Sequence, residues 1–208
     1  MSRIKLIGTT HLIPAEKIIE VIKKEKPDII GVELCQTRFN VMVSNPRSQK
    51  QISAIQDNSL IGKISKSILD KAKEEGIQYG SDFITASRYA IEHKIPLILV
   101  DRPLEEIRFL MEKIPANEMK SFLAELTDFE TKSLKENVKD VNEDETLLEL
   151  KTKYPISYEF LIQSRDMFIM HRIMKAMLLY PNKKIIIFLG KGHIDKISKE
   201  LNIEGDKI

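Results

Sequence analysis

Four short apolar runs lie along the chain, and each is typical of a strand that helices cover on both sides. A strand in that position loses the alternation of apolar and polar residues that half-exposed strands show. The predicted strands are Ile4–Gly8, Ile29–Glu33, Leu97–Asp101 and Lys184–Leu189. The pattern indicates an α/β fold, with a mostly parallel central sheet flanked by helices.

Apolar residues at helical spacing separate the predicted strands. Ile18 and Ile22 recur with this spacing in a helix predicted over Pro14–Lys26, which Pro27 ends. Because this helix joins the first two strands, the three elements should form a βαβ unit with parallel strands and a right-handed crossover. Further helices are predicted over Leu60–Glu75, Asp82–His93 and, as one long and mostly apolar element, Ile156–Tyr180.

Two polar stretches interrupt this alternation of strands and helices. Arg38–Ser59 contains the turn signal Asn45-Pro46 and is predicted to include a mobile loop. Pro103–Tyr154 is highly charged and has a helical pattern, so we expect a helical insertion before the last strand. We expect residues 1–208 to form a single domain, since a chain of 208 residues is long enough for one substantial core.

Composition and charge narrow the classes of function. Apolar residues make up 42% and charged residues 31% of the chain, as in ordinary globular proteins. The formal net charge is +2 and both signs are interleaved, which gives no electrostatic case for a nucleic-acid partner. No apolar run approaches the roughly 18 residues that cross a bilayer, and no secretory signal is recognisable, so we expect a cytoplasmic protein without stable membrane insertion. Cys35 is the one cysteine, which excludes an internal disulfide and a thiolate metal cluster.

Chemically capable side chains stand at the ends of the predicted strands. Two of the four histidines, His11 and His193, share a Gly-x-x-His setting near opposite ends of the chain. Glu33 ends the second predicted strand, and Asp101 with Arg102 ends the third. Open α/β sheets bind their ligands at the carboxyl ends of the strands, so the sequence predicts a functional site there.

Two imidazoles and a carboxylate from separate strands are a common ligand set of catalytic metal sites, in which one position stays open for water. His11, Glu33 and His193 are therefore the candidate metal ligands, and the set suits zinc, manganese, cobalt or iron. A bound divalent ion would lower the pKa of its water toward neutrality and polarise a carbonyl group, which permits hydrolysis. Tight turns that aim the two histidines over the sheet are expected at Gly8, Gly190 and Gly192.

Each candidate also has a purely structural alternative. A histidine after a strand is often a hydrogen-bonded structural residue, and Glu33 could be neutralised by Arg38. Arg165 and Asp166 lie within an apolar helix, where they mark either a face turned toward a polar cleft or a salt-bridged helix edge. Core filling explains the spacing of four methionines better than a ligand site does: Met167, Met170, Met174 and Met177.

Five sequence motifs, taken in their order and approximate spacing, together span almost the whole chain. They are IGTTH, KPDIIGVELCQTR, GSDFITASRYAIEHKIPLILVDRP, LIQSRDMFIMHRI and IIIFLGKGHIDKI. The sequence therefore resembles the TraB family, which includes pheromone-shutdown proteins and is similar to the TIKI metalloproteases and, more distantly, to the erythromycin-esterase-like superfamily. This resemblance implies a metal-dependent hydrolytic site that acts on peptides.

The resemblance also implies functional residues wherever the motifs match. The two Gly-x-x-His motifs correspond to His11 and His193, and the Val-Glu-Leu…Arg motif corresponds to Glu33 and Arg38. The remaining motifs correspond to Asp82, Asp101, Arg102, Arg165 and Asp166.

One position departs from the family pattern. Ser164 precedes Arg165-Asp166 where the helix motif usually has a glutamate. If that carboxylate takes part in catalysis, this chain lacks it. No apolar run of this sequence matches the membrane segments of many pheromone-shutdown relatives, so we expect that a membrane role does not carry over.

The leading hypothesis is a metallopeptidase-like, metal-dependent hydrolase that cleaves a peptide or a related amide. His11, Glu33 and His193 would hold the ion. The developing oxyanion would be stabilised by Arg38 or Arg165. A ligand would be oriented, or a proton shuttled, by Asp166 or Asp82.

Substrate contacts are assigned to Asp101 and Arg102. The expected partners are a peptide or small-molecule substrate and, in a homo-oligomer, a second copy of the chain. An alternative is a module that sequesters a peptide or small ligand in the same cleft without any chemistry. A third hypothesis is a scaffold in which the charged strand ends pair among themselves.

Overall fold

A parallel sheet of five strands is the central feature of the described part of the chain. The structure is a computed structural model and describes residues 3–10, 13–44, 80–135 and 143–208. Every pairing in the sheet is parallel, which confirms the predicted α/β fold. The spatial order is β3-β2-β4-β1-β5, with β1 at Arg3–Thr9, β2 at Ile29–Val32, β3 at Leu97–Leu99, β4 at Lys184–Gly190 and β5 at Glu204–Lys207.

Helices flank the sheet and connect its strands. They are α1 (Ala15–Glu25), α2 (Gln36–Phe39), α3 (Ser81–Glu92), α4 (Leu104–Met111), α5 (Ala116–Lys135), α6 (Glu143–Lys153), α7 (Pro155–Tyr158), α8 (Ser164–Leu179) and α9 (Ile194–Leu201). Two π-helical turns, Asn40–Ser44 and Glu159–Gln163, follow α2 and α7. Within the described ranges, no helix has both the length and the apolar character that a membrane span requires.

The strands from the two ends of the chain are neighbours in the sheet. β4 pairs with β1 in a register that runs from Arg3 opposite Lys184 to Thr9 opposite Gly190. On its other side β4 pairs with β2, so it lies between the first two strands of the chain. Because neighbouring strands are about 4.8 Å apart, the two strands that lead into the Gly-x-x-His motifs end side by side, with Thr9 opposite Gly190.

Apolar side chains on the two faces of the sheet pack against different helices. On one face, α1 and α3 cover residues such as Ile7 and Ile30. On the other face, α8 and α9 cover the preceding residues, Leu6 and Ile29. Burial of both faces is the physical reason for the continuous apolar runs in the sequence. It also leaves the strand ends as the place where polar side chains converge.

The helices α4 to α7 form an insertion between β3 and β4, as the charged helical pattern predicts. The insertion buries an apolar cluster of its own, which consists of Ile114, Met119, Phe122, Leu123, Leu150 and Tyr158. It leaves the sheet after Arg102 and returns at Ser164, and Arg102 Nη2 donates to the Ser164 carbonyl at 2.9 Å. Both ends of the insertion therefore adjoin the carboxyl edge of the sheet.

The fifth strand was not expected from the sequence. β5 follows β4 in the chain and pairs with β1 at the edge of the sheet, so the strand Lys184–Gly190, which the insertion precedes as predicted, is the fourth of five. All four residues of β5 are exposed, and three of them are charged. A strand of this kind carries no apolar run, which explains why hydrophobic patterning overlooked it.

The predicted helix over Ile156–Tyr180 is interrupted near its start. α7 and the π-helical turn Glu159–Gln163 precede α8, which begins at Ser164. Ser164 Oγ donates to the Phe160 carbonyl at 2.7 Å, so its hydroxyl bonds back within the helix where the π-helical turn ends. The residue that replaces the family's glutamate thus has a local structural contact.

The methionine spacing in α8 reflects the core only in part. Met170 and Met177 pack against the apolar cluster on the sheet. Met167 and Met174, which were expected to fill the core, are 58% and 43% exposed, because α8 turns only one side toward the sheet.

The predicted helix over Leu60–Glu75 and the turn signal Asn45-Pro46 lie outside the described residues.

The glycines near the predicted site differ in their roles. Gly192 lies in a 3₁₀ turn, Lys191–His193, as expected, whereas Gly8 and Gly190 are ordinary strand residues. Gly190 is also the N-cap of that 3₁₀ turn, so the turn that leads to His193 begins where β4 ends. The turn expected between Gly8 and His11 lies partly outside the described residues. Gly8 instead allows close packing, since a Cβ there would lie 2.6 Å from Ile194 Cγ1 on α9.

Candidate functional site

Five charged side chains meet at the carboxyl edge of the sheet. Glu33 directly follows β2, Asp101 closely follows β3, and His193 follows β4, while α8 supplies Arg165 and Asp166. We term these five residues the strand-end cluster. Its three carboxylate residues are almost completely buried, with exposed fractions of 2% for Glu33, 4% for Asp101 and 2% for Asp166. Buried carboxylates are stable only when cations or hydrogen-bond donors face them.

Glu33 connects the ends of β2 and β4 to α8. Its Oε2 accepts the backbone N–H of Gly190 at 2.6 Å, and its Oε1 accepts Arg165 Nη2 at 2.5 Å. His193 Nε2 lies 3.5 Å from the same Oε1. The same oxygen of Glu33, Oε1, therefore accepts a bond from the Arg165 guanidinium and lies next to the His193 imidazole.

Asp101 lies between two arginines. Arg165 donates to both of its oxygens, Nε to Oδ1 at 2.8 Å and Nη2 to Oδ2 at 3.0 Å. Arg38 Nη1 donates to Oδ2 at 2.9 Å, and the backbone N–H of Arg102 donates to Oδ1 at 2.8 Å. The Asp101 side chain is 0% exposed, so it has no surface left for a substrate in this structure. Its described side-chain contacts instead orient the two arginines. Its predicted contact with substrate stays a prediction.

Arg102 joins the end of β3 to the start of α8. Besides the bond to the Ser164 carbonyl, its Nη1 donates to Glu106 at 3.2 Å, and its Cζ lies 5.1 Å from the centre of the Phe168 ring. A guanidinium over an aromatic face is a favourable cation–π contact. Arg102 thus has structural contacts next to the cluster, and its role toward a substrate stays a prediction.

His193 is oriented by Asp166. Nδ1 of the imidazole lies 2.5 Å from Asp166 Oδ1, and this contact turns Nε2 toward Glu33. The second oxygen of Asp166 accepts Lys196 Nζ at 2.8 Å. A histidine whose one nitrogen is fixed by a carboxylate while the other faces a site is the usual arrangement of an oriented catalytic or metal-binding imidazole.

The pKa of His193 reflects opposing influences. Burial of the imidazole lowers the pKa, but the negative charge of Glu33 and hydrogen bonds with Asp166 and Glu33 outweigh it. The pKa therefore rises from 6.5 to about 9, although the charge of Arg165 opposes the rise. Without a bound ion, the imidazole carries a proton at neutral pH.

Asp82, the remaining candidate carboxylate, contacts β1. It is fully buried near the start of α3, and it accepts a hydrogen bond from Thr9 Oγ1. Thr9 is the last residue of β1, and its Oγ1 also lies 3.2 Å from the Leu189 carbonyl of β4. The contact links α3 to the end of the strand that precedes His11.

His11 lies outside the described residues, so the complete predicted ligand set is not described. In the described ranges, no group of three His, Cys, Asp or Glu side chains is arranged to hold a metal ion. Two ligands of a tetrahedral ion with bonds of about 2.1 Å lie about 3.4 Å apart, close to the 3.5 Å between His193 Nε2 and Glu33 Oε1. The separation of these two donors matches that of two metal ligands, but Arg165 Nη2 and the Gly190 N–H already bind the Glu33 oxygens, so an ion here would have to displace or share the Arg165 bond.

Two residues with contacts to the predicted site were missed by sequence reasoning. Lys196 lies three residues after His193 in α9, and this helical spacing was an available signal for a shared face. Thr9 lies two residues before His11 at the end of an apolar run, where a buried hydroxyl needs a partner. The partners of both residues depend on helix packing that the sequence does not reveal.

Comparison with known proteins identifies relatives of this chain. No family model matches it. An uncharacterised protein of Methanocaldococcus jannaschii is 25% identical over 213 residues, which cover 95% of this chain and 53% of that protein. A TraB domain-containing protein of Mus musculus is 28% identical over 123 residues, which cover 50% of this chain and 32% of that protein. The chain therefore spans about half the length of the archaeal relative and about a third of the mouse protein.

Among solved structures, an erythromycin esterase mutant in its open conformation has a TM-score of 0.38 and 14% sequence identity, over 99% of this chain and 69% of the esterase chain. A similarity this weak supports no conclusion about function. The match to the mouse protein, in contrast, is a sequence match of 28% identity, over half of this chain. It confirms the resemblance to the TraB family that the sequence motifs indicate.

Proposed function

We propose that this protein is a metal-dependent hydrolase that cleaves a peptide or a related amide. The observation that carries the proposal is the meeting of His193 Nε2 and Glu33 Oε1 at a separation of 3.5 Å, at the carboxyl edge of the sheet. Metal ligands of different strands lie at such separations, and ligand sites of open α/β folds lie at this edge. The resemblance to the TraB family supports the same class of reaction.

The ion would be held by His11, Glu33 and His193. When bound, it would lower the pKa of a water molecule and polarise the scissile carbonyl group. Asp166 would orient His193 by accepting its Nδ1–H, since the two groups already lie 2.5 Å apart. The structure thus favours ligand orientation, rather than proton transfer, as the role of Asp166.

Arg38 is the better candidate of the two arginines for the developing oxyanion. Arg165 is bound to both oxygens of Asp101 and to Glu33, whereas Arg38 has one described bond, to Asp101. Asp101 would fix the guanidinium of Arg38, and a fixed cation stabilises charge that develops beside it. Asp82 remains the candidate for a proton shuttle.

Metal analysis of the purified protein tests the proposal directly. We expect about one divalent ion per chain after incubation with zinc, manganese, cobalt or iron followed by dialysis. We expect that release of amines from a peptide mixture depends on the ion. His193→Ala should lower both metal content and turnover at least tenfold, whereas the control His171→Ala, at an exposed position of α8, should change neither.

Absence of a retained or restorable ion would contradict the proposal, if His11→Ala also left any measured hydrolysis unchanged. Activity that survives removal of the ion would equally contradict metal dependence. Activation of water and polarisation of the carbonyl group would then have to come from side chains of the strand-end cluster and not from a metal ion.

A second candidate function is sequestration of a peptide or small ligand without turnover. It is favoured by the bonds of Arg165 and Arg38, because these two guanidinium groups together balance the charges of Glu33 and Asp101 without an ion. Calorimetry with peptides in the presence of added metal separates the two functions. Binding without product release in zinc, manganese, cobalt and iron would favour sequestration.

A further inference from the structure

Lys196 contacts the carboxylate that orients His193. Lys196 Nζ donates to Asp166 Oδ2 at 2.8 Å, while His193 Nδ1 lies 2.5 Å from Asp166 Oδ1. Both oxygens of one carboxylate are thus engaged, each by a different side chain. The Asp166 side chain is 3% exposed, so water is largely excluded as a substitute for either contact.

The helix α9 fixes the two donors relative to each other. His193 is the N-cap residue of α9, and Lys196 follows three residues later. Residues at this spacing lie on one face of a helix, and α8 presents Asp166 to that face. The carboxylate therefore spans one turn of α9. Rotation of the carboxylate would break at least one of its two bonds.

We infer that Lys196 is a positioning residue of the proposed metal site. By holding Oδ2 of Asp166, it keeps Oδ1 on His193 Nδ1 and keeps His193 Nε2 directed toward Glu33. The inference rests on the proposed function, in which His193 binds the ion. Loss of a carboxylate that orients a metal-bound imidazole lowers metal affinity about 10–100-fold. Lys196 acts on the same bond through the opposite oxygen.

The test compares Lys196→Met with Lys196→Arg and with Lys199→Met, an exposed lysine of the same helix. Calorimetry measures the affinity of each folded protein for Zn²⁺, and NMR relaxation of the His193 ring carbons measures its mobility in metal-free protein. Lys196→Met should weaken Zn²⁺ binding about tenfold and make the ring more mobile. Lys196→Arg should restore most of both properties, and Lys199→Met should match the wild type.

A purely structural Lys196 gives a different result. Lys196→Met would then lower the unfolding temperature while Zn²⁺ affinity and ring order stay at wild-type values, and that result overturns the inference. If the wild-type protein binds no ion, the proposed metal dependence fails, and ring mobility alone decides the role of Lys196. If Lys196→Met does not fold, Lys196→Gln replaces it with the same two outcomes.

Discussion

Two networks of charged side chains connect elements of this fold, and their surroundings differ. The strand-end cluster joins the ends of β2, β3 and β4 to α8 at the carboxyl edge of the sheet. The second network, termed the Lys5 cluster, consists of Lys5, Glu25, Lys184, Glu204 and Asp206. In it, Lys5 Nζ lies 3.1, 2.8 and 2.7 Å from carboxylate oxygens of Glu25, Glu204 and Asp206, so it ties the edge strand β5 to β1.

Burial is the first difference between the two networks. Two of the three carboxylates of the Lys5 cluster are exposed, Glu204 at 64% and Asp206 at 51%, and Glu25 is 14% exposed, whereas the Glu33 and Asp101 side chains are 3% and 0% exposed. An exposed ion pair contributes about 0–1 kcal/mol, whereas a buried charge costs several kcal/mol unless it is well paired. The docking of β5 on β1 is sufficient to explain why the charged residues of the Lys5 cluster lie together. Protein stability alone does not explain why the strand-end cluster buries its carboxylates.

The second difference is the kind of group involved. The Lys5 cluster pairs ammonium groups with carboxylates. The strand-end cluster contains an imidazole that one carboxylate orients and another faces at 3.5 Å. An oriented imidazole beside buried charges is typical of sites that perform chemistry. Burial and orientation, rather than the number of ion pairs, therefore distinguish the candidate site from a structural network.

Arg165→Met should have the largest effect. It leaves Glu33 and Asp101 buried without their shared guanidinium, and loss of one partner of a buried pair costs about 3–5 kcal/mol. The free energy of unfolding, measured by urea denaturation, gives the size of the effect. A loss of less than about 1 kcal/mol, as for exposed pairs, would remove the energetic distinction between the two clusters.

Arg38→Met is the matched control for that variant. Arg38 has one described bond, to Asp101, and Arg165 would remain on the same carboxylate. We therefore expect a smaller loss of stability than for Arg165→Met. If both variants lose the same free energy, Arg165 has no special place as the shared cation of the cluster.

Lys5→Met should have a smaller, salt-dependent effect. It removes two ion pairs to exposed carboxylates of β5 and one to Glu25, which is largely buried but keeps its pair with Lys184, so we expect a loss of about 1 kcal/mol at low ionic strength. Amide exchange in β5 should accelerate, because these ion pairs help to hold β5 on β1. The difference should shrink in high salt. Lys23→Met, at an exposed position of α1, is the control.

An effect of Lys5→Met that is as large as that of Arg165→Met, or independent of salt, would contradict this assignment. It would show that the Lys5 cluster behaves energetically like the buried one despite its exposure. Unchanged amide exchange in β5 would instead show that backbone pairing with β1 is sufficient to hold the strand.

The sequence predicted those elements of the fold whose residues are buried, because buried strands are apolar. The strands β1 to β4 are apolar runs because helices cover both faces of the sheet, and the runs identified them. β5 was missed because its exposed residues bury nothing. The position of β4 between β1 and β2 was also not predicted, since strand order depends on pairing of residues as distant in the chain as Arg3 and Lys184 and not on local pattern.

The site was predictable only as far as the strand ends reveal it. Glu33 and His193 stand where apolar runs stop, and the structure brings them together. Lys196 resembles an ordinary surface lysine in the sequence, because its contact with Asp166 exists only once α8 and α9 pack side by side. The bonds of Asp101 to two arginines likewise required the structure. That His11 lies next to Glu33 and His193 is still a prediction.

Glu25→Gln should give the smallest effect and a characteristic dependence on pH. The hydrogen bond from Lys184 holds the pKa of Glu25 below its ordinary value of 4.5, with Lys5 adding to the effect and partial burial opposing it. A lowered pKa means that the carboxylate stabilises the folded protein above pH 4.5, and that this stabilisation is lost as the pH falls through the lowered pKa.

The wild type should therefore exceed Glu25→Gln in unfolding free energy by at most about 1 kcal/mol at neutral pH, and the two proteins should converge in acid. Glu20→Gln, at an exposed position of α1, should track the wild type at every pH. A difference that persists unchanged in acid would show that Glu25 acts through packing and not through its charge.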